Sequence, residues 1–215
     1  MSSALDLVFV LVVLVDFFML ASARPVTGIR VVAAQGALLA LLPILLAGEG
    51  LQTAHVVALA AGALVVKAIV IPWLMLWATR EAAGRRELPP IIGFASTLFF
   101  GALGAAVAFA WAGDLPLPIP GKHPLLVPTA ITTAWTGLLL LMTRRRAVNQ
   151  VLGFLVLENG VFVFGQLLSD FMPLMVEAGV LLDLLAAVFV MGLVMFDLQR
   201  AFSSLDTSRL TSLKD

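Results

Sequence analysis

The chain has no cysteine and two histidines, His55 and His123. That excludes iron–sulfur clusters held by its own thiolates and argues against a haem or zinc site of its own. Any redox chemistry therefore belongs to a partner. Charge is scarce too: Asp, Glu, Lys and Arg make up 12% of the residues and hydrophobic residues 61%, against about 25% and about 45 to 50% in a soluble domain. The 13 basic and 13 acidic residues cancel, so there is no basic field to hold nucleic acid. The motifs HExxH, GxSxG, GxxxxGKS/T and CxxC are missing, and the scattered serines form no recognisable triad. Catalysis within this chain is not expected.

What is present is a series of long apolar runs. Seven meet or approach the roughly 20 residues needed to cross a bilayer: Ala4 to Ala21, Val31 to Ala47, Thr53 to Thr79, Ile91 to Ala112, Leu125 to Met142, Val151 to Leu168 and Met175 to Leu198. Met1 to Leu20 carries Asp6 and Asp16 without a basic leader and is predicted to be a retained first helix. The connectors are SARPVTGIR from Ser22, GEGLQ from Gly48, REAAGRRELPP from Arg80, GDLPLPIPGKHP from Gly113, TRRRAVNQ from Thr143 and SDFMP from Ser169. Basic residues fall in alternate connectors: Arg24 and Arg30, then Arg80, Arg85 and Arg86, then Arg144, Arg145 and Arg146, and finally Arg200, Arg209 and Lys214 after the last run. The positive-inside rule then predicts an all-α membrane protein of seven spans, with the N-terminus outside and the C-terminus cytoplasmic. Trp73, Trp77 and Trp111 suit the membrane interface, whereas Trp135 is placed to pack between helices. Gly101 and Gly104 form a small-residue packing face.

Three of the runs carry a charge near their middle: Lys67, Glu158 and Asp183. A central charge costs about 2.5 to 3.5 kcal/mol on the lenient insertion scale, so such residues face protein or a wetted path. Lys67 stands about fourteen residues from either end of the third run, too deep to snorkel. It needs a partner, either as a buried ion pair pinning two helices or as a proton-exchanging lysine. Pro72 removes a helical hydrogen bond nearby and predicts a kink. Glu158 is followed by Asn159, which supplies a donor and an acceptor, and by Gly160, which admits a close neighbour. A glutamate there is tolerated when protonated, paired or hydrated, which is what a proton carrier requires. Asp183 is placed to load or release protons on the outer side. Asp16 serves either a relay or a helix contact, and Gln35 beside Gly36 is suited to hydrogen-bond a facing helix. His55 reads as an interfacial residue, and Asp6, Glu177 and Asp197 as solvated.

The run from Arg144 through NQVLGFLVLENGVFVFG, then LLDLLAAVFVMGLVMFDLQRAF and the tail LDTSRLTSLKD, closely resembles the hydrogenase-4 component E family. LVVKAIVIPW around Lys67 and AAQGALLAL around Gln35 extend the resemblance over most of the chain. The C-terminal part is also similar to the three-helix K subunit of complex I and C subunit of multisubunit cation/proton antiporters. This implies a four-helix membrane region at 1–123 and a three-helix region with a cytoplasmic tail at 124–215. It further implies a bacterial or archaeal cytoplasmic-membrane subunit of a group 4 nickel–iron hydrogenase, beside antiporter-like subunits. Nickel–iron and iron–sulfur centres would lie in partner subunits of a peripheral arm. On this resemblance Glu158 matches a proton-path glutamate of the K subunit, while the second such position falls on Val188. Asp183 lies five residues earlier, about 140° and 7.5 Å away on a helix, so it is no simple replacement. The expected proton path is Glu158, Lys67, Asp183 and Asp16, supported by Asn159 and Gln35. The rival readings are a cation/proton antiporter subunit and a structural anchor.

Overall fold

A computed structural model describes residues 2–22, 24–47, 54–81, 91–112, 123–168 and 192, and these residues contain no strand. The helices are α1 (Ser2–Ala21), α2 (Pro25–Ala40), α3 (Leu42–Ala47), α4 (Ala54–Leu64), a π-helical segment (Val65–Val70), α5 (Ile71–Glu81), α6 (Phe94–Ala112), α7 (Leu126–Thr143) and α8 (Ala147–Leu168). Six stretches among them are long and apolar enough to cross a membrane, and the chain is a multi-pass membrane protein. The predicted seventh run, with Asp183, Glu177, Asp197 and Val188, lies outside the described residues.

Two helix boundaries differ from the sequence reading. The connector predicted from Ser22 to Arg30 is helical from Pro25 onward, because proline at the first helical position has the required φ and needs no N–H there. Arg30 thus lies within α2. The second run breaks at Leu41, two residues before Pro43, which cannot donate to the preceding turn. The kink expected at Pro72 takes the form of the π-helical segment: the Ile71 N–H donates to the Val66 carbonyl, five residues back. Pro72 follows directly in α5, where its missing N–H removes one helical hydrogen bond next to the π-helical segment. The run VVKAIVI adds crowded β-branched side chains that weaken α-helical packing at this place.

Helices α7 and α8 form the inner pair, with 67% and 61% of their spans buried, against 22% for α6. Gly137 and Gly160 let the two backbones touch, since a Cβ on Gly160 would collide with the Ala134 backbone. The outer helices turn large apolar side chains outward, including Phe99, Leu103 and Trp111 of α6 and Trp73 of α5, as lipid-facing surfaces do. Gly104 of α6 receives Trp135, whose Nε1 donates to the Phe100 carbonyl at 3.0 Å. Gly101 receives Leu20, so this glycine face is a packing surface.

Helices α1 and α7 run parallel. Asp6 meets His123 at 3.2 Å at one end, while at the other the Arg144 guanidinium donates to the carbonyls of Leu20 at 2.8 Å and Ser22 at 3.1 Å. Arg144 thereby caps the C-terminus of α1, where the helix leaves carbonyls unsatisfied, and its charge lies 5.0 Å from the Phe94 ring. Burial lowers its pKa from the ordinary value, yet a guanidinium stays protonated. The Ile91 N–H reaches the Thr143 carbonyl at the same end. The connectors bearing Arg24 and Arg144 to Arg146 therefore meet at one end of the bundle.

Two apolar clusters fill the interior. One lies at the arginine end, with Met19, Leu20, Ile29, Val32, Leu140, Val151 and Leu155. The other lies at the His123 end, with Val8, Phe9, Val12, Leu39, Leu126, Ala130 and Val163. On each of α1, α2, α7 and α8 a polar residue stands between the two clusters, and these residues meet.

Candidate functional site

The polar layer is built from one or two residues of each inner helix: Asp16 of α1, Gln35 of α2, Lys67 of the π-helical segment, Thr133 of α7, and Glu158 with Asn159 of α8. All six are buried, with Asp16, Gln35 and Thr133 at 0% exposure, Glu158 and Asn159 at 3% and Lys67 at 5%. Glu158 stands about halfway along α8, roughly 15 Å from either end at 1.5 Å per residue. This is the depth at which a lone charge is least tolerable.

The Lys67 ammonium donates to Glu158 Oε1 at 3.0 Å and to Asn159 Oδ1 at 3.0 Å. It also lies 4.9 Å from the centre of the Phe162 ring, a distance at which the ring face attracts a cation. Asn159 Nδ2 donates onward to Gln35 Oε1 at 3.1 Å, and Gln35 Nε2 donates to Asp16 Oδ1 at 2.8 Å. The Thr133 hydroxyl donates to Asp16 Oδ2 at 2.7 Å. These bonds form one continuous network across the bundle, transverse to its helices. Among the described residues, its one oxygen without a hydrogen-bond partner is the buried Glu158 Oε2.

Local structure explains the register. Gly36 puts α2 directly against the lysine's turn, since a Cβ there would lie 2.8 Å from the Lys67 Cβ. The neighbouring Gln35 is thereby fixed between Asp16 and Asn159. The π-helical segment places Lys67 opposite Glu158; single π turns inside α-helices are frequent at functional sites.

Of the residues expected from the sequence, Glu158, Lys67 and Asp16 come together, with Asn159 and Gln35 joining them. Asp183 falls outside the described residues. Asn159 uses both its donor and its acceptor. Asp16 makes helix contacts through both oxygens, and Gln35 bonds to two facing helices. Thr133 was missed. Its sequence signal is the cluster Thr129, Thr132, Thr133 and Thr136 in an otherwise apolar helix, all at 2% exposure or less. The hydroxyls of Thr129 and Thr132 are buried with no partner among the described residues.

No protein-family model matches the chain, and no solved structure matches it. It is similar to the uncharacterized protein Rv0085 of Mycobacterium tuberculosis, with 37% identity over 188 residues, covering 87% of this chain and 85% of that protein. It is more distantly similar to hydrogenase-4 component E of Escherichia coli K12 and of Shigella flexneri, with 29% identity over 155 residues in each case, 72% of this chain and 71% of theirs. The chain belongs to the family of the mycobacterial protein, a hydrogenase-4 component E-like family.

Proposed function

We propose that the chain is a membrane-arm subunit of a complex I-like group 4 nickel–iron hydrogenase and that it contributes to proton translocation coupled to redox chemistry in other subunits. The observation that carries this reading is the buried pair of Lys67 and Glu158 within a transverse network that reaches Asp16. The similarity to proteins named hydrogenase-4 component E supports the assembly. The nickel–iron and iron–sulfur centres would sit in partner subunits, and the arginine end would face the cytoplasm with the N-terminus outside. The likeness of Leu125 onward to the complex I K subunit belongs to this proposal as well.

The apolar clusters above and below the layer oppose a water-filled passage straight through the described helices. Charge coupling therefore runs in the plane of the membrane. Glu158 Oε2 is the oxygen at which water or a neighbouring subunit would exchange the proton. Redox steps next door act by changing hydration or helix position around Lys67 and Glu158.

The test is E158Q in the assembled complex, reconstituted in sealed vesicles. Hydrogen turnover with an artificial electron donor should persist while proton translocation per hydrogen falls. Unchanged translocation would remove Glu158 from the mechanism. Mild-detergent purification checks the assembly, for which a nickel-containing large subunit should copurify with this chain. Copurification with antiporter-like chains alone, in membranes exchanging sodium for protons, would decide for the antiporter reading.

A further inference from the structure

Helical threonines in this chain settle their hydroxyls in different ways. Thr97 and Thr143 bond back to carbonyls of their own helix, at 3.1 Å to Gly93 and 2.6 Å to Leu139, the route open to any hydroxyl in an apolar helix. Thr133 donates instead to Asp16 Oδ2. Thr129 and Thr132 do neither: both are buried, and their hydroxyls have no partner among the described residues. A buried hydroxyl without a partner is costly, and native proteins meet such groups with ordered water.

Helical geometry puts Thr129, Thr132 and Thr133 within an arc of about 100° on α7. The neighbouring arc carries Leu126, Val127 and Ala130, which join the apolar cluster of the His123 end. The three hydroxyls therefore lie alongside that cluster and not inside it. Helix α6 runs antiparallel to α7, with Phe94 at Arg144 and Gly104 at Trp135. Counted from that contact, the buried residues of α6 at the depth of the threonines are Ala105 and Ala108. On α1 the residue one turn from Asp16 is Val12. None of these neighbours has a polar side chain, so the partner of the two hydroxyls has to be a small polar molecule. Both threonines precede Thr133 and so lie on the His123 side of Asp16. At that end His123 stands 3.2 Å from the half-exposed Asp6.

We propose that ordered water is held on the Thr129 and Thr132 hydroxyls, between α1, α6 and α7, and that this water links Asp16 to the His123 end of the bundle. This deepens the proton-translocating reading, and the use of the water in turnover rests on that reading. Each hydroxyl offers one hydrogen and two lone pairs, so Thr129 and Thr132 orient water that donates to the Thr133 oxygen. A proton arriving from the His123 end passes from oxygen to oxygen. The last water gives one to Thr133 while Thr133 gives its own to Asp16 Oδ2, and one O–H bond forms for each one broken. The file stops at Asp16. It therefore opens one half of the bundle and leaves the apolar cluster at the arginine end closed.

The chain has no cysteine, so single cysteines can report water at chosen positions. T129C and T132C are compared with V127C, whose position belongs to the apolar cluster on the same helix. The intact complex in sealed vesicles is exposed to silver ion, which reacts with a thiol only where water reaches it. Denaturation and alkylation follow, and mass spectrometry of this chain reads the protected fraction. T129C and T132C should be protected and V127C should not, with silver acting faster from the side that bears the N-terminus. Equal reaction at all three positions, reaction at none, or faster reaction from the opposite side overturns the proposal. The second measurement uses T129V/T132V, which is nearly isosteric and decides the matter even where the cysteine variants fail to assemble. If the hydroxyls hold water, the melting temperature of the complex falls and proton translocation slows several-fold, with T129S/T132S restoring translocation. If they are dry, the melting temperature rises; that result, or unchanged translocation in T129V/T132V, overturns the proposal. Unprotected cysteines together with translocation lost in E158Q sink this inference and leave the proposed function standing. Protected cysteines together with unchanged translocation in E158Q sink the proposed function and leave a hydrated site.

Discussion

Asp16 and Glu158 are carboxyls in the same buried layer, and the chain accommodates them differently. Asp16 has both oxygens occupied by neutral donors, Gln35 and Thr133, which are fully buried on two different helices. Glu158 has one oxygen on an ammonium and the other without a partner among the described residues. The difference teaches that burying a carboxylate leaves two routes open. Neutral hydrogen bonds hold it in one geometry, whereas an ion pair leaves spare acceptor capacity that can exchange with its surroundings. Asp16 is held by neutral donors on two helices, and Glu158 by a single ion pair.

Removing the cation that holds Glu158 breaks this comparison most severely. K67M should leave Glu158 and the Asn159 oxygen without their donor and cost about 3 to 5 kcal/mol, the usual penalty for breaking a buried pair from one side. The readout is a large drop in the temperature at which the chain is lost from its complex. Q35L makes the Asp16 end resemble the other by stripping one donor from Asp16 and the acceptor from Asn159. Both are neutral hydrogen bonds, and about 1 to 3 kcal/mol in all is expected, with a thermal shift smaller than that of K67M.

G36A sharpens the Lys67 end by pressing a methyl against the lysine's turn. An overpacked contact costs about 1 to 3 kcal/mol, and the accompanying displacement of Lys67 should lower proton translocation more than hydrogen turnover. T133V, nearly isosteric, deletes one donor to Asp16 and should have the smallest effect, about 1 to 2 kcal/mol. Scanning calorimetry of the purified complex would rank the four. A T133V effect as large as that of K67M would contradict the Lys67–Glu158 pair as the costliest contact of the layer to break.

Much of this was legible from composition and spacing. The apolar runs predicted the long helices because hydrocarbon leaves the backbone no other partner than itself. Lys67 and Glu158 stood out because an ionisable group in such a run is expensive. Thr133 did not, since a hydroxyl can bond back to its own helix, as Thr143 does to the Leu139 carbonyl at 2.6 Å. Helix ends misled where proline was involved: Pro25 starts a helix that the connector's composition seemed to exclude, and Pro72 follows a π-helical turn where a simple kink was expected.

The sequence by itself determined that charges are buried in this chain and at what depth, because the cost of desolvating a group depends on that group and on the apolar run around it. Tertiary structure decided which charges meet. Lys67 and Glu158 are 91 positions apart, and Asp16 and Thr133 117. Their contact follows from how close two backbones can come, which Gly36 and Gly160 permit and which no single helix specifies.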